Sequence, residues 1–451
     1  MNPMQSRSLF IAFLLFFAAG PARPADADTA GSAPDLAALS IEQLTQVEVT
    51  SVGRKDQNLS QVAAAVFVIT AEDIRRSGVA NVPELLRMVP GIQVAQIAAN
   101  IWAISSRGFN GRGANKMLVM VDGRSIYNTL FSGTFWDQNQ VPLDQIERIE
   151  VTRGAGATMW GSNAVDGVIS IVTKKAKDTK GTLLTAEAGN TNLPDTGIRF
   201  GGQAGDRLQY RLDAGFGEHP GLLTQNGNTA PDRWNSGHGG FRLDWQASDR
   251  DTLSFEGSAY QGGGNETVNV LFPLPAVLSA VDPFSFSGGS VTGRWEHKFK
   301  GSDIAFEAYY SRESRAEVAA HGSLNTTDFD FQHHVPLGRR NDFIWGVGYR
   351  WRGDNSVGVS QHDDFDESLF SSFAQDEITL VPDRLTLTAG ARIQDYRNTV
   401  GNNFDFQPQV RLLWALSKRR SLWGAVSRPY VLRLRSIATS TFSLIGPRWV
   451  V

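Results

Sequence analysis

QIERIEVTRGAGATMWGSNAVDGVISIVTKK, from Gln145 to Lys175, reads as a strand, a turn, a glycine-rich loop and a second strand. Ile146, Ile149 and Val151 alternate with charged residues, though not at perfect period 2. VISIV, Val168 to Val172, is a continuous β-branched run of the kind that forms a strand buried on both faces. Gly154, Gly156, Gly161 and Gly167 punctuate the connection, where the backbone needs positive φ or close approach to another backbone. Arg153 closes the first strand near Glu150.

Upstream, VAAAVFVIT (Val62–Thr70) is a buried-type strand. Thr70 is then placed to cap a helix, with Asp73 three residues on, and Gly78 to stop it. Asn81-Val82-Pro83-Glu84 starts a second helix with proline in its first turn, Leu85, Leu86 and Met88 supplying its apolar side. Pro90-Gly91 ends it and another strand begins at Ile92. Ile104 to Phe109 is a strand that reaches Arg107-Gly108, and Met117–Val121 is a buried strand followed by the hairpin signal Asp122-Gly123.

These stretches resemble the plug domain of TonB-dependent outer-membrane receptors. The family motif is close to IERIEV-x-RG-P-x-x-x-x-YG-x-x-A-x-GGVINI-x-TK. Here Ala155 stands for Pro, Trp160 for Tyr, Asp166 for Gly and Ser170 for Asn. Arg107-Gly108-Phe109 and Val119–Gly123 match two further plug motifs in order and spacing. The resemblance implies an α+β plug domain, residues 57–178, followed by an antiparallel transmembrane β-barrel.

The remaining sequence fits that expectation. Arg7 and the apolar run Leu9–Gly20 read as a secretory signal over residues 1–27, with cleavage at Ala25-Asp26-Ala27 or after Gly20-Pro21-Ala22. Twelve or so apolar residues fall short of the ~18 of a membrane helix, and no later run reaches that length. Residues 28–56 form a tether. Within it Val47, Glu48, Val49, Thr50 and Ser51 are extended and suited to add a strand to a partner's sheet edge. The family resemblance makes this segment the TonB box; the alternative is an ordinary first strand of the plug.

After the charged linker Lys174–Lys180, about thirteen alternating segments run from Gly181 to Arg428, with short turns on one side and longer loops on the other. A soluble β-sandwich would explain the strands but explains this asymmetry less well. A plugged barrel of the family has about 22 strands, so residues 181–428 make a partial barrel. Pro429 to Val451 loses the alternation, and a change of reading frame near Arg428 would account for it.

The resemblance further implies several site roles. Arg107 and Arg153 pair with glutamates of the barrel wall and lock the plug; otherwise they are solvated strand ends. Phe109, Asn110, Arg112, Tyr127, Phe131 and Trp136 lie on Gly/Asn/aromatic-rich tips and face the ligand. The implied partners are TonB with its inner-membrane ExbB–ExbD motor, outer-membrane lipid and lipopolysaccharide, and a scarce ligand such as a ferric siderophore. Cobalamin is the alternative ligand, and a passive barrel or inactive fragment the alternative role. A sensor would carry a further domain before the TonB box, for which Asp28–Leu44 leaves no room. The implied location is the outer membrane of a Gram-negative bacterium.

A net charge of −3 gives a nucleic-acid partner no electrostatic support. There is no cysteine, hence no disulfide or thiol chemistry. No hydrolase, metalloprotease or phosphate-loop motif occurs, so neither an enzyme nor a cofactor is expected. His333 and His334 are adjacent in a strand and point to opposite faces. Asp363, Asp364, Asp366 and Glu367 read as a solvated acidic loop before a Ca²⁺ site.

Overall fold

The structure is a computed structural model. It describes residues 48–108, 116–129, 133–154, 157–189, 194–271, 277–317, 321–357, 364–398, 401–417 and 420–430. The expected signal and tether up to Val47, the ligand-facing tips Phe109, Asn110, Arg112 and Phe131, and residues 431–451 lie outside these.

The N-terminal half builds small sheets from β1 (Glu48–Val49), β2 (Gln57–Asn58), β3 (Ala65–Thr70), β4 (Ile92–Ala98), β5 (Ile101–Ser106), β6 (Met117–Val121), β7 (Arg124–Ser125), β8 (Ile146–Arg153) and β9 (Gly167–Thr173). The main sheet has the order β3-β8-β9-β6-β7, with β6 and β9 parallel. β8 and β9 are its centre, which is why Ile146, Ile149, Val151, Val168, Ile169 and Ile171 are all fully buried. The imperfect alternation of IERIEV has a structural cause. The β8–β9 register shifts between Ile146 and Arg148, so one extra residue swaps faces.

Two short helices cover one face. Helix α1 (Ala71–Ser77) has the expected capping box, Thr70 Oγ1 accepting from Asp73 N at 3.2 Å and Asp73 Oδ2 from Thr70 N at 2.9 Å. Gly78 ends it at φ 69°. Helix α2 (Val82–Leu85) is capped by Asn81, whose Oδ1 accepts from Glu84 N at 3.0 Å. It tightens into a 3-10 turn, Leu86–Met88, so Leu85 and Leu86 enter the core but Met88, expected on the same side, is 41% exposed.

Gly167 sits where β9 meets β8, and a Cβ there would lie 2.5 Å from the carbonyl oxygen of Thr152. Gly167→Ala should therefore push β9 off β8 and cost about 2 kcal/mol, read as a lower denaturant midpoint of the plug.

The C-terminal half is one antiparallel sheet of 13 strands in sequence order. The strands are β10 (Gly181–Glu187), β11 (Asp195–Ala204), β12 (Leu208–His219), β13 (Trp234–Gln246), β14 (Asp251–Leu271), β15 (Val277–Lys298), β16 (Asp303–Ala316), β17 (His321–Leu337), β18 (Asn341–Val357), β19 (Asp364–Val381), β20 (Leu385–Asn398), β21 (Gly401–Ser417) and β22 (Arg420–Ser427). β10 and β22 form its two edges. Alternation is inverted relative to a soluble sheet. Ile198, Phe200, Leu212, Phe255, Phe329 and Phe370 are exposed on one face, while Arg211, Glu307, Glu313, Asp328, Arg352 and Arg392 are buried on the other. Apolar out and polar in is the membrane-barrel pattern.

Two stretches whose Gly, Asn, Ser and Asp content predicts long loops, Gly263–Pro283 and the acidic one at Asp363–Glu367, are strand where the structure describes them. Gly263–Pro283 is largely the paired extension of β14 and β15, because Asn265 to Leu271 continue in register with Val277 to Pro283. The acidic stretch Asp364–Glu367 opens β19, and Glu367 is buried against Arg352 at 2.9 Å rather than solvated. No cluster of metal-ligating side chains occurs among the described residues. His333 and His334 do face opposite ways, His333 toward Trp345 and His334 toward Asp303 and Asp342.

Candidate functional site

Plug side chains and backbone meet the inward face of the sheet from β11 to β20, so the plug lies in the concave side of the wall. The seam between them carries the contacts that hold the plug to the wall.

At the short-turn rim the holding element is the segment Val49–Gln57. β1 and β2 pair antiparallel around the turn between them. Arg54 follows that turn with φ 54° and points its guanidinium at the wall. Its Nη1 lies 2.7 Å from Asp330 Oδ1, and its guanidinium stacks on Trp160 of the plug and Phe373 of the wall at 4.6 and 5.0 Å. Lys55 pairs with Asp342 and lies 3.5 Å from Glu377, which also accepts from Gln57 at 2.8 Å. His334 Nε2 is 2.5 Å from Asp342, extending the network across β17 and β18.

At the long-loop rim the connection between β4 and β5 is clamped. Trp234 Nε1 donates to the Ala99 carbonyl at 3.1 Å, and Asp232 accepts from the Ala99 amide at 2.9 Å. Beside it Arg315 of β16 reaches Asp137 of the plug at 2.7 Å and stacks on Phe135 and Phe284 at 4.7 and 4.6 Å. Asn128 donates to Glu313 at 2.8 Å, Ser162 to Gln394 at 2.6 Å, and Arg392 to the Met159 carbonyl at 2.8 Å. Between these ends, Arg199 pairs with Asp144 at 2.5 Å. The Asp122-Gly123 turn fits the prediction, with φ 47° and 90°, and Glu307 packs against Gly123. A cavity of about 120 Å³ lies between the plug and β12–β15, its lining including Asp122, Gln138, Glu256, Tyr260 and Phe286.

The residues singled out from sequence fare unevenly. Arg107 and Arg153 both stay within the plug. Arg153 Nη1 donates to the Pro90 carbonyl at 2.6 Å, and Arg107, at φ 60°, lies alongside Gly154. Among the described residues neither forms an ion pair with a wall carboxylate. Arg54, Lys55, Arg199, Arg242 and Arg315 make ionic contacts across the seam instead. The reason is reach: Arg153 closes β8, whose ends abut plug elements. Tyr127 and Trp136 do not face outward. Tyr127 packs with Leu118, Met120 and Val168, and Trp136 joins the main core, so both are buried. Val49 and Ser51 are buried too, and Thr50 partly so, with Glu48 exposed. The expected free strand is thus docked as far as the structure describes it.

Asp166, which replaces a family glycine, lies near Lys116 and Arg107. Burial pushes its carboxyl above the usual value, and those two cations pull the other way. A raised acid pKa means a stability cost that is present above the folded value and relieved as pH falls through it. Asp166→Asn should accordingly stabilise the plug at neutral pH. The difference should shrink towards zero as pH falls to the unfolded carboxylate range, as measured by unfolding at stepped pH.

The geometry defines a class: a small α+β domain held inside a curved antiparallel wall with an apolar exterior. Residues 58–168 match the TonB-dependent receptor plug domain, and residues 179–444 match the TonB-dependent receptor-like β-barrel. The chain belongs to the TonB-dependent receptor family, whose members are outer-membrane proteins of Gram-negative bacteria. It is 26% identical over 465 residues to the ferric enterobactin receptor of Pseudomonas aeruginosa, covering 85% of this chain and 60% of that protein. It is 32% identical over 173 residues to the vitamin B12 transporter BtuB of Vibrio cholerae, covering 38% of this chain and 28% of that one. The crystal structure of the siderophore receptor PirA from P. aeruginosa shares the fold, with a TM-score of 0.62 at 21% identity over 83% of this chain and 63% of that one. The chain therefore spans less than two thirds of the length of each.

Proposed function

We propose that the chain serves an energised outer-membrane receptor for a ferric siderophore or a similar iron complex. The observation that carries this is the clasp at Arg54 and Lys55: a short N-terminal segment is pinned to the wall by polar contacts rather than by a large apolar interface. Such contacts hold at rest and break under a directed pull. The segment runs on from the N-terminal tether, so a partner gripping Val47–Ser51 or the residues before them would act on the clasp first. TonB, powered by ExbB–ExbD, is that partner, and the secretory signal over residues 1–27 supports export to where it acts.

The iron-complex reading is favoured over cobalamin because the likeness to the enterobactin receptor runs through 85% of this chain, whereas that to the B12 transporter covers 38%. The passive-barrel reading has no use for a plug tied to the wall at both rims. Lipopolysaccharide would face the exposed apolar belt at the long-loop rim. Any locking role of Arg107 and Arg153 is toward wall outside the described residues.

Uptake of radiolabelled ferric siderophores by a receptor-deficient strain expressing the gene tests this. Uptake should require TonB and should vanish on deleting Gln46–Lys55. Uptake that survives the deletion would refute the energised mechanism, and uptake of cyanocobalamin alone would reverse the choice of ligand.

A further inference from the structure

β8 has two unlike faces. Ile149 and Val151 point into the helix-covered core, while Glu150 and Thr152 point the other way. That second face is sealed by the N-terminal segment, whose Val49 and Val52 pack with Val62 and Val68. Glu150 sits at the centre of this seal and is fully buried. A buried carboxylate must be surrounded by donors. Here the segment supplies most of them. Ser51 N donates to Oε2 at 2.8 Å and Thr50 N at 3.0 Å, and Thr50 Oγ1 donates to Oε1 at 3.3 Å. From the plug itself Glu150 receives only Arg148 Nε at 2.8 Å among the described contacts. On the same face of β8, Ser51 Oγ lies 3.0 Å from Thr152 Oγ1, and Trp160 Nε1 donates to the Ser51 carbonyl at 2.5 Å.

We infer that Glu150 is a latch and release residue: it holds the N-terminal segment to the plug, and withdrawing the segment strips a buried carboxylate on an interior strand of the sheet. This deepens the reading above, in which the segment is the handle. Extraction then does more than unfasten a tail. β8 pairs with β3 on one side and β9 on the other, so a stranded carboxylate at Glu150 loosens the middle of the plug rather than its edge. Charge-assisted bonds to two backbone amides are stronger than neutral ones, which makes the latch tight until it is pulled.

Amide hydrogen exchange on the full chain in detergent micelles tests this. In Glu150→Gln the neutral amide opposes one of the donors. The Thr50 and Ser51 amides should exchange about tenfold faster, with β6 and β9 unchanged. Trp160→Phe loosens the segment without touching Glu150. It should speed those same amides about fivefold and, with them, the amides of β8 around Glu150. Unchanged exchange of Thr50 and Ser51 in Glu150→Gln would overturn the latch. Uniform acceleration of the whole sheet would do so too, since it would make Glu150 an ordinary core residue. A faster segment over an unmoved β8 in Trp160→Phe would overturn the release. Neither readout involves TonB or cargo, so failure of the uptake reading would leave these results standing.

Discussion

Arg54→Ala should release the N-terminal segment from the wall at a cost of about 3 kcal/mol in docking. The guanidinium is 11% exposed in its side chain, pairs with Asp330 and lies on two aromatic faces. Removing it leaves Asp330 without its plug cation and Phe373 without one of the two arginines stacked on it, Arg392 being the other. The chain has no cysteine, so Val52→Cys gives a unique thiol in the buried part of the segment. Its maleimide labelling should rise roughly 100-fold in the Arg54→Ala background, the factor that 3 kcal/mol represents. Arg54→Lys should fall between, because it keeps the charge but loses the planar stacking. An unchanged labelling rate would show that the clasp contributes little.

The second large effect is at the opposite rim. Arg315→Ala should destabilise the docked plug by about 3–5 kcal/mol, because Asp137 is 2% exposed and loses its only cation among the described residues. Asn100, which donates to the same Oδ2 at 3.2 Å, is a weak replacement. Combining Arg315→Met with Asp137→Asn removes both charges and should recover most of the loss. Tryptophan fluorescence through a denaturant titration reads this directly, since Trp136 is one residue from Asp137. A double variant no better than Arg315→Ala would mean that the arginine acts through packing on Phe135 and Phe284 instead.

The plug was legible in the sequence because its signals are local. A capping residue at Thr70, a turn at Asp122-Gly123 and a β-branched run at Val168–Val172 each fix their own stretch of backbone. The wall was legible for the same reason, through alternation and turn spacing. The seam was not, because it joins residues hundreds of positions apart. Nothing near Arg54 or Lys55 marks them as facing Asp330 and Asp342. The available hint was on the other side: Asp328 and Asp330 alternate with Phe329 and Phe331, which marks an inward, polar face opposite an apolar one. Tyr127 and Trp136 misled because aromatics beside glycine and asparagine look like exposed tips, whereas their rings fill the cores beneath those tips. Val49 to Ser51 looked free because their anchor, Glu150, lies about a hundred residues on and reads there as one more charge in an alternating strand.

Whether the N-terminal segment is withdrawn in an energised cell is read most directly from the accessibility of Val52→Cys in living cells to a periplasmic maleimide. Labelling should be slow at rest. Acceleration should come only when a ferric siderophore and an energised TonB system are both present, and should be abolished by collapsing the proton gradient. Labelling that is equally fast or equally slow in all these conditions would contradict such withdrawal.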